Sequence, residues 1–418
     1  MRINSDANFW LPFDVLLLSF VSVDEWSPIK LGGTTVVWIL ALSIYISLWI
    51  EQRRYRIKTF SGVYIFVGIY LLWAIFCIVR GCFVASNYWE YKKLVSTSFM
   101  LLMPYCVYSF GNPNLLCKVI KTYFVFALIA FGLWFYWMIG FSQFFLGPVY
   151  MMTCFIPTIK NSKWKFILLV LVIALLINDP IAQRAQSIKA LVALLLMFAY
   201  IFRRIYPVRL LNITFWILLV LPIILITLGL SGIYNVFSDT NDIYSDRYVH
   251  HSSKGYEDTD IADDTRTFIY YETITSALNN NYVLLGRTPA RGNDTEHFWD
   301  DIETQKKKHF VYNLKYERQL NEVCFPNFFT WIGLIGMTLY CLIYIVAAYM
   351  GFYHSKSLHV KLMALFVAFN FTFGWIENCT HFDIENFMYW FMISICLSQT
   401  FRNMTDNDMI MWVNRIFQ

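Results

Sequence analysis

Long apolar runs separated by short polar stretches take up most of this 418-residue chain. A helix that crosses a membrane needs roughly 20 mostly apolar residues in succession. Twelve runs approach that length, although the first, the seventh and the last are short: 9–23, 34–50, 60–79, 94–110, 119–139, 141–159, 166–178, 180–202, 210–230, 327–353, 362–376 and 387–401. The pattern predicts an all-α polytopic membrane protein with about twelve transmembrane helices.

The composition agrees with lipid as the main solvent of the chain. Hydrophobic residues make up 58% of it and charged residues 15%, whereas soluble domains are about 25% charged. The formal net charge of +5 does not indicate nucleic-acid binding, because the basic residues lie in short loops and form no single polar face. The nine cysteines contain no C-x-x-C pair, which argues against a metal knuckle or a disulfide framework.

The distribution of Lys and Arg predicts the orientation. Of the 33 such residues, 17 lie in the two termini and the loops on their side, and six lie in the short connections on the other side. Cytoplasmic loops carry the excess of positive charge, so both termini are predicted to be cytoplasmic. Asp14 interrupts the first apolar run, and no small-x-small cleavage site follows it, so we interpret this run as a membrane helix and not as a cleavable signal.

One long polar segment, residues 231–325, lies between the ninth and tenth predicted helices. It holds 16 of the 28 acidic residues and ten basic ones, with no long apolar run. The sequence therefore predicts a membrane domain in two parts, 1–230 and 326–418, with an outer lobe between them. Long loops that are not disordered usually carry function.

Arg184 is the first candidate for function. Asp179 followed by Pro180 is a typical helix start, and a helix over 180–202 places Arg184 about one turn inside the outer membrane surface. An ionisable residue at that depth is a functional candidate. The alternative is that Arg184 only extends towards the interface, as we expect of Lys189.

Arg266 opens a predicted amphipathic helix in the lobe. Apolar residues recur at helical spacing after it, and Asn279–Asn281 form a stop signal: Phe268, Tyr271, Ile274 or Thr275, and Leu278. Backbone N–H groups and a guanidinium in a first turn can address one anion. A local ion pair of Arg266 with Asp263 or Asp264 is the alternative.

The turn from Gly286 to Asp294 carries two further arginines, Arg287 and Arg291, around Pro289. An exposed surface turn has the same composition. Together with Arg184 and Arg266, these residues suggest a site of several arginines for a phosphate-bearing ligand. It is not a P-loop, because Gly-x4-Gly-Lys-Ser/Thr is absent.

Three residues of the lobe are candidates for a general base. Glu322, near the predicted membrane surface, could accept a proton from a sugar hydroxyl or serve as a structural ion-pair partner. His297 and His309 are the other candidates, although a lone histidine in a lobe is more often only solvated. Glu377, Asp383 and Glu385, between the last two predicted helices, are expected to line the same outer mouth.

These features resemble the O-antigen polymerase and ligase superfamily of bacterial envelope enzymes. The shared features are an arginine early in a middle helix (Ala182-Gln183-Arg184-Ala185), an arginine opening a lobe helix (Thr265-Arg266-Thr267), a glycine-containing turn, and a lobe that leads into a helix with Gly333-Leu-Ile-Gly336. The second half of the chain carries the resemblance by motif, and the first half only by hydropathy. Family members often have His-Asn where this chain has Pro326-Asn327, which favours Glu322 over a histidine as the base.

The resemblance implies a glycosyltransferase of the bacterial inner membrane that needs no metal or other cofactor. Arg184, Arg266, Arg287 and Arg291 would bind an undecaprenyl diphosphate-linked glycan at the periplasmic face and stabilise the charge of its leaving group. The expected activity is polymerisation of repeat units for O-antigen or capsule, with a chain-length regulator and a flippase as possible partners. The alternatives are a ligase that moves the glycan to lipid A core and, third, a flippase or transporter of lipid-linked oligosaccharides, which usually shows internal repeats.

Overall fold

The structure is a computed structural model that describes residues 10–24, 33–55, 59–60, 62–138, 146–177, 184–204, 208–230, 267–295 and 317–418. Almost all secondary structure in these ranges is helical, and one two-stranded antiparallel sheet pairs Asn293–Asp294 (β1) with Glu317–Arg318 (β2). The prediction of an all-α protein is confirmed for the described part of the chain.

The helices follow the predicted apolar segments closely in position. Fifteen of them belong to the membrane part and the C-terminal tail, and α11 belongs to the lobe: α1 (Trp10–Asp24), α2 (Gly33–Tyr55), α3 (Ile65–Val84), α4 (Tyr88–Leu102), α5 (Val107–Phe110), α6 (Pro113–Met138), α7 (Gly147–Thr153), α8 (Ser162–Ile177), α9 (Arg184–Ile201), α10 (Val208–Leu230), α11 (Thr267–Asn279), α12 (Cys324–Tyr353), α13 (Leu358–Phe373), α14 (Ile384–Leu397), α15 (Gln399–Asn403) and α16 (Asp406–Ile416).

Three helices in the described ranges are long and apolar enough to cross a membrane: Gly33–Tyr55, Gly62–Val84 and Cys324–Tyr353. A fourth results if Tyr88–Phe110 and Pro113–Phe126, which meet at 118°, count as one broken span. Five further apolar helices are shorter. The apolar helices indicate a membrane protein, and the number of clear spans is smaller than the twelve that hydropathy predicts.

The predicted segment 141–159 is not one continuous helix. In its described part, α7 ends at Thr153 and a short 3-10 turn follows at Ile156–Thr158. Pro148 stands in the first turn of α7 and Pro157 in that 3-10 turn. Proline lacks the N–H that a helix interior needs, so Pro157 explains why an apolar run of this length does not extend α7.

The core of the bundle is built around α14. Every residue of this helix, from Ile384 to Leu397, is buried, and most of them are apolar, as expected of a helix in an interior. By contrast, α2 and α3 expose Ile39, Leu72 and Phe83. Exposed apolar side chains along long helices are what lipid-facing surfaces require.

Side-chain caps fix where the last three long elements begin. Ser357, Asp383 and Thr405 each accept a hydrogen bond from a backbone N–H in the first turn of the following helix. Such caps satisfy N–H groups that a helix start leaves without partners. The connection 374–383, which leads into α14, is therefore held at a defined end of the bundle.

The lobe helix predicted after Arg266 is confirmed as α11, but Tyr271, Ile274 and Leu278, which belong to its predicted apolar face, point outward. Tyr271 and Leu278 are exposed, whereas Glu272 and Ser276 on the other face are buried. The reason is local, because the polar face hydrogen-bonds the turn that ends at Asp294.

Candidate functional site

Arg287 and Arg291 converge on one buried carboxylate, that of Glu317. Arg287 Nη2 lies 3.2 Å from Glu317 Oε1, and Arg291 Nε lies 2.8 Å from Glu317 Oε2. Arg291 also donates from Nη2 to the same carboxylate. Arg287 and Arg291 thus lie together, and their shared partner Glu317, 26 residues after Arg291, could not be identified from the sequence pattern.

A second carboxylate, Asp294, completes this arrangement. Arg287 Nη1 lies 2.7 Å from Asp294 Oδ1. Burial acts to raise the pKa of Asp294, but the hydrogen bond and charge of Arg287, together with hydrogen bonds from Asn280 and Ser276, lower it below its usual value. The hydrogen bonds to Glu317 raise the pKa of Arg291, again against burial. An anionic ligand would therefore have to share the two arginines with these carboxylates or displace the carboxylates.

The turn that carries these arginines is docked into a break in α12. Gly333 interrupts that helix with φ 69° and ψ −176°, a conformation that is essentially restricted to glycine. The N–H of Leu334 then donates to the carbonyl of Val283 at 2.9 Å. A Cβ on Gly286 would lie 2.4 Å from the Gly333 nitrogen. The two backbone segments can therefore approach this closely only because both residues are glycine.

Further hydrogen bonds secure this docked segment, which we call the clasp (residues 283–287 and 330–335). Each of them satisfies a carbonyl that lies in or beside the helix break: Arg287 N to Thr330 O at 2.7 Å, Trp73 Nε1 to Ile332 O at 2.9 Å, and Arg80 Nη1 to Leu285 O at 2.8 Å. Helix α3, which holds Trp73 and Arg80, therefore braces the clasp. These hydrogen bonds fix the arginine turn to helices α3 and α12 of the bundle.

Thr288 in this turn is strained and buried. Its φ is 114°, a rare value for a β-branched residue, and it is fully buried. Its hydroxyl has no hydrogen-bond partner in the described part of the chain. Strain of this kind persists only where surrounding structure enforces it, and it concentrates at functional sites.

A row of buried asparagines connects the arginine turn to the start of α12 and to the connection before α14. Its links are Asn321 Nδ2 to Asn293 Oδ1 at 2.9 Å, Asn327 Nδ2 to Asn321 O at 2.8 Å, and Asn327 Nδ2 to Thr380 Oγ1 at 3.3 Å. Asn327 belongs to the Pro326-Asn327 pair at the start of α12. The asparagine in this pair is a structural joint between the lobe and the membrane helices.

Lys189 lies in a second ionic cluster at this end of the bundle. Its Nζ is 2.6 Å from Glu385 Oε1 and 3.0 Å from Glu377 Oε2, and Gln186 Nε2 donates to Glu385 Oε2 at 3.2 Å. The Lys189 side chain is only 6% exposed. The expectation that Lys189 extends to the interface is therefore wrong, because two carboxylates satisfy its charge inside the bundle.

Of the three acidic residues expected to line the mouth, Glu377 is the most open, with a side chain that is 21% exposed. Asp383, beside Glu385, is buried, and burial together with the Glu385 charge raises the pKa of Asp383 to about 7. The connection that holds these residues also touches the lobe exit, since Cys324 N donates to Glu377 O at 3.0 Å.

Arg184 is the first residue of α9, and the structure describes its main chain only. At 1.5 Å per residue it lies about 7.5 Å along the helix axis from Lys189. The first turns of α9 are therefore held next to the acidic connection. Arg266, His297 and His309 lie outside the described residues.

Glu322 stands two residues before α12 with a side chain that is 61% exposed, and it pairs with Arg318 at 3.4 Å. It is thus an open carboxylate near the membrane end of the lobe. Among the described residues there is no group of three or more His, Cys, Asp or Glu side chains arranged to hold a metal ion.

No family model, curated protein or solved structure matches the chain.

Proposed function

We propose that this protein is a polysaccharide polymerase of the Wzy type. It transfers a growing glycan from its undecaprenyl diphosphate carrier to the terminal sugar of an incoming lipid-linked repeat unit. The reaction takes place at the periplasmic face of the bacterial inner membrane, during synthesis of O-antigen or capsular polysaccharide. The bond to the carrier diphosphate breaks, a bond to the acceptor hydroxyl oxygen forms, and that hydroxyl loses its proton to a base.

One observation carries this proposal. Separate parts of the chain bring cationic side chains to one end of the helical bundle, where hydrogen-bonded segments join them. Arg287 lies in the clasp and Arg291 in the turn that follows it, and the asparagine row runs from this turn to the connection that holds Glu377. Glu377 pairs with Lys189 in α9, the helix that begins at Arg184. A lipid diphosphate needs such a cationic cluster at the membrane surface.

The proposal includes the full topology that hydropathy and charge predict. About twelve helical segments cross the membrane, both termini are cytoplasmic, and residues 231–325 form the periplasmic lobe between helices nine and ten. The shorter apolar helices, such as Leu358–Phe373 and Ile384–Leu397, count as spans here. They are buried among other helices. Each of these short helices begins at a polar residue that caps it, Ser357 or Asp383.

The ligase and transporter alternatives give different phenotypes in a strain that lacks this gene. Loss of a polymerase leaves lipid A core capped with a single repeat unit. Loss of a ligase leaves the core bare while long chains accumulate on the lipid carrier, and loss of a flippase traps single units in the cytoplasm. We expect the first pattern on gels of extracted lipopolysaccharide, and either of the other two would refute the proposal.

Variants in the same strain test the site. Arg184→Ala, Arg287→Ala and Arg291→Ala should abolish chain growth while the protein still inserts into the membrane. Arg204→Ala, an exposed arginine after α9, is the matched control and should support normal chains. Normal chain growth in all three site variants, at normal protein levels, would remove the arginine site from the proposal.

A further inference from the structure

On helix α11, apolar side chains at helical spacing are exposed while polar side chains on another face are buried. Tyr271 and Leu278 are 71% and 63% exposed, and Ile274 between them is also exposed. On the opposite face, Thr273 and Ser276 are 2% and 3% exposed. A helix on a soluble protein turns its apolar face to the core. This arrangement therefore requires an apolar environment outside α11.

The orientation of α11 is fixed by hydrogen bonds of its polar face. They join the helix to the arginine turn and to the end of α13: Ser276 Oγ to Asp294 Oδ2 at 3.0 Å, Thr295 Oγ1 to Glu272 Oε2 at 2.8 Å, and Tyr270 OH to Trp375 O at 2.5 Å. Rotating the helix to bury Tyr271 and Leu278 would break these bonds and expose apolar Ile269 and Ala277, which are fully buried.

The exposed face of α11 continues onto the membrane helices. Leu284 and Leu285 are exposed, and the backbone beside them is inserted into the break of α12, where Ile335 N donates to Leu284 O. Leu334 and Ile335, directly after the break, are exposed as well. We call Tyr271, Ile274, Leu278, Leu284 and Leu285 the apolar patch of the lobe.

The continuity decides what covers this patch. Helix α12 is one of the three helices in the described ranges that are long and apolar enough to cross a membrane, so its exposed side chains face lipid. Leu284 and Leu285 of the patch meet exposed Leu334 and Ile335 at the clasp, where Ile335 N donates to Leu284 O at 3.4 Å. If a soluble protein covered the patch, the patch would lie outside the membrane while the adjoining residues of α12 face lipid.

We propose that α11 is an interfacial helix that lies in the membrane leaflet on the lobe's side, with the apolar patch among the lipid acyl chains. Amphipathic helices of this kind bury their apolar face about 5–10 Å into the boundary between headgroups and acyl chains. The lobe is thereby attached to the bilayer as well as to the bundle. Arg287, two residues after Leu285, comes to headgroup level. The inference holds whether or not the protein is a polymerase.

Spin labels on the full-length protein test this placement. Cys82, the cysteine that is exposed among the described residues, is replaced by serine, and single cysteines are introduced as Tyr271→Cys, Leu278→Cys or Asn279→Cys. Leu72→Cys, on the exposed face of α3, is the lipid reference. The protein is reconstituted in vesicles of phosphatidylethanolamine and phosphatidylglycerol. Collision rates are then measured with oxygen, which dissolves in lipid, and with a water-soluble nickel chelate.

We expect labels at 271 and 278 to resemble the label at 72, with an oxygen-to-nickel ratio several-fold above that at Asn279. A higher nickel than oxygen rate at 271 and 278 would place the patch in water and overturn the inference. Low rates for both reagents would mean that protein covers the patch, which also overturns it.

A photo-crosslinking benzoylphenylalanine at Tyr271 provides a second measurement that retains an aromatic ring and the native cysteines. Irradiation in the same vesicles should give a phospholipid adduct on the protein, visible as a mass increase. An adduct only to protein, from a second copy or from another part of this chain, would contradict the proposed placement.

Discussion

The clasp in α12 depends on Gly333, and replacing it by alanine tests how firmly the arginine turn is held. A Cβ at this position would lie 2.2 Å from the carbonyl oxygen of Leu284 and 2.4 Å from the Gly286 nitrogen. Contacts that short force the two backbones apart. The neighbouring hydrogen bonds, such as Leu334 N to Val283 O at 2.9 Å, cannot survive such a separation.

The expected loss of stability follows from two contributions. A residue other than glycine in this conformation costs about 1–3 kcal/mol. Each hydrogen bond left unmade at a buried backbone group costs about 1–3 kcal/mol, and at least one such bond is broken. Gly333→Ala should therefore lower the free energy of unfolding by about 2–6 kcal/mol.

The native cysteines report the unfolding of the protein in detergent micelles. Cys77, Cys106, Cys154, Cys324 and Cys396 are buried, so a thiol-reactive fluorophore gains access to them as the protein melts. At about 1 °C per kcal/mol for a chain of this length, the midpoint of Gly333→Ala should fall by about 2–7 °C. Gly374→Ala is the control, because the atoms nearest to its Cβ would be Phe325 Cε2 at 3.1 Å and Cys379 Sγ at 3.4 Å, and its φ is not positive. A midpoint for Gly333→Ala equal to the wild type, or an equal fall in Gly374→Ala, would refute this reasoning.

Three further predictions concern the ionic cluster and the arginine turn. Lys189→Met leaves the buried Glu385 carboxylate without its ammonium partner, so it should destabilise the protein by about 3–5 kcal/mol. Adding Glu385→Gln should restore most of the melting midpoint. A Lys189→Met variant as stable as the wild type would contradict the pairing. Since the pKa of Asp383 is raised from its usual 3.8 to about 7, the folded state holds a proton that the unfolded state releases, and wild-type stability should fall as the pH rises from about 4 to about 7. Asp383→Asn keeps a helix cap and should flatten that dependence, and a slope equal to the wild type would refute it. Thr288→Gly removes the strain at φ 114° and should raise the free energy of unfolding by about 1 kcal/mol, whereas a lower midpoint would show that the threonine side chain stabilises the turn.

Much of the helical fold could be predicted because it depends on local patterns. Apolar runs of sufficient length mark α2, α3 and α12 within a few residues of their ends. The start of α11 after Arg266 and its end at Asn279 follow from capping and stop signals. The failure at 141–159 has a local cause as well, since prolines end helices inside an apolar run.

The break in α12 could not be predicted, because the sequence around Gly333 contains no signal for the end of a helix. The residues that fill the break, Val283 and Leu284, lie about fifty positions earlier in the chain. Hydropathy treats Gly333-Leu-Ile-Gly336 as part of an ordinary membrane helix, in which glycine is common. Only the tertiary contact reveals why glycine is needed there.

The candidate site could be predicted only in part, because its partners come from distant parts of the chain. Residue type and spacing mark Arg287 and Arg291 as a pair, whereas their shared partner Glu317 comes from another strand of the lobe. Lys189 shows the converse, because a lysine near a helix end normally extends to the interface. Its two carboxylate partners lie almost 200 residues away in the sequence, and their presence reverses that expectation.

The most direct measurement is reconstitution of the purified protein with lipid diphosphate-linked repeat units extracted from the strain that lacks it. If the protein is a polymerase, lipid-linked glycans of two, three and more repeat units should appear, with one undecaprenyl diphosphate released for each new linkage. Arg291→Ala should release none. Repeat units that stay single, with no diphosphate released by the wild-type protein, would contradict the proposed activity.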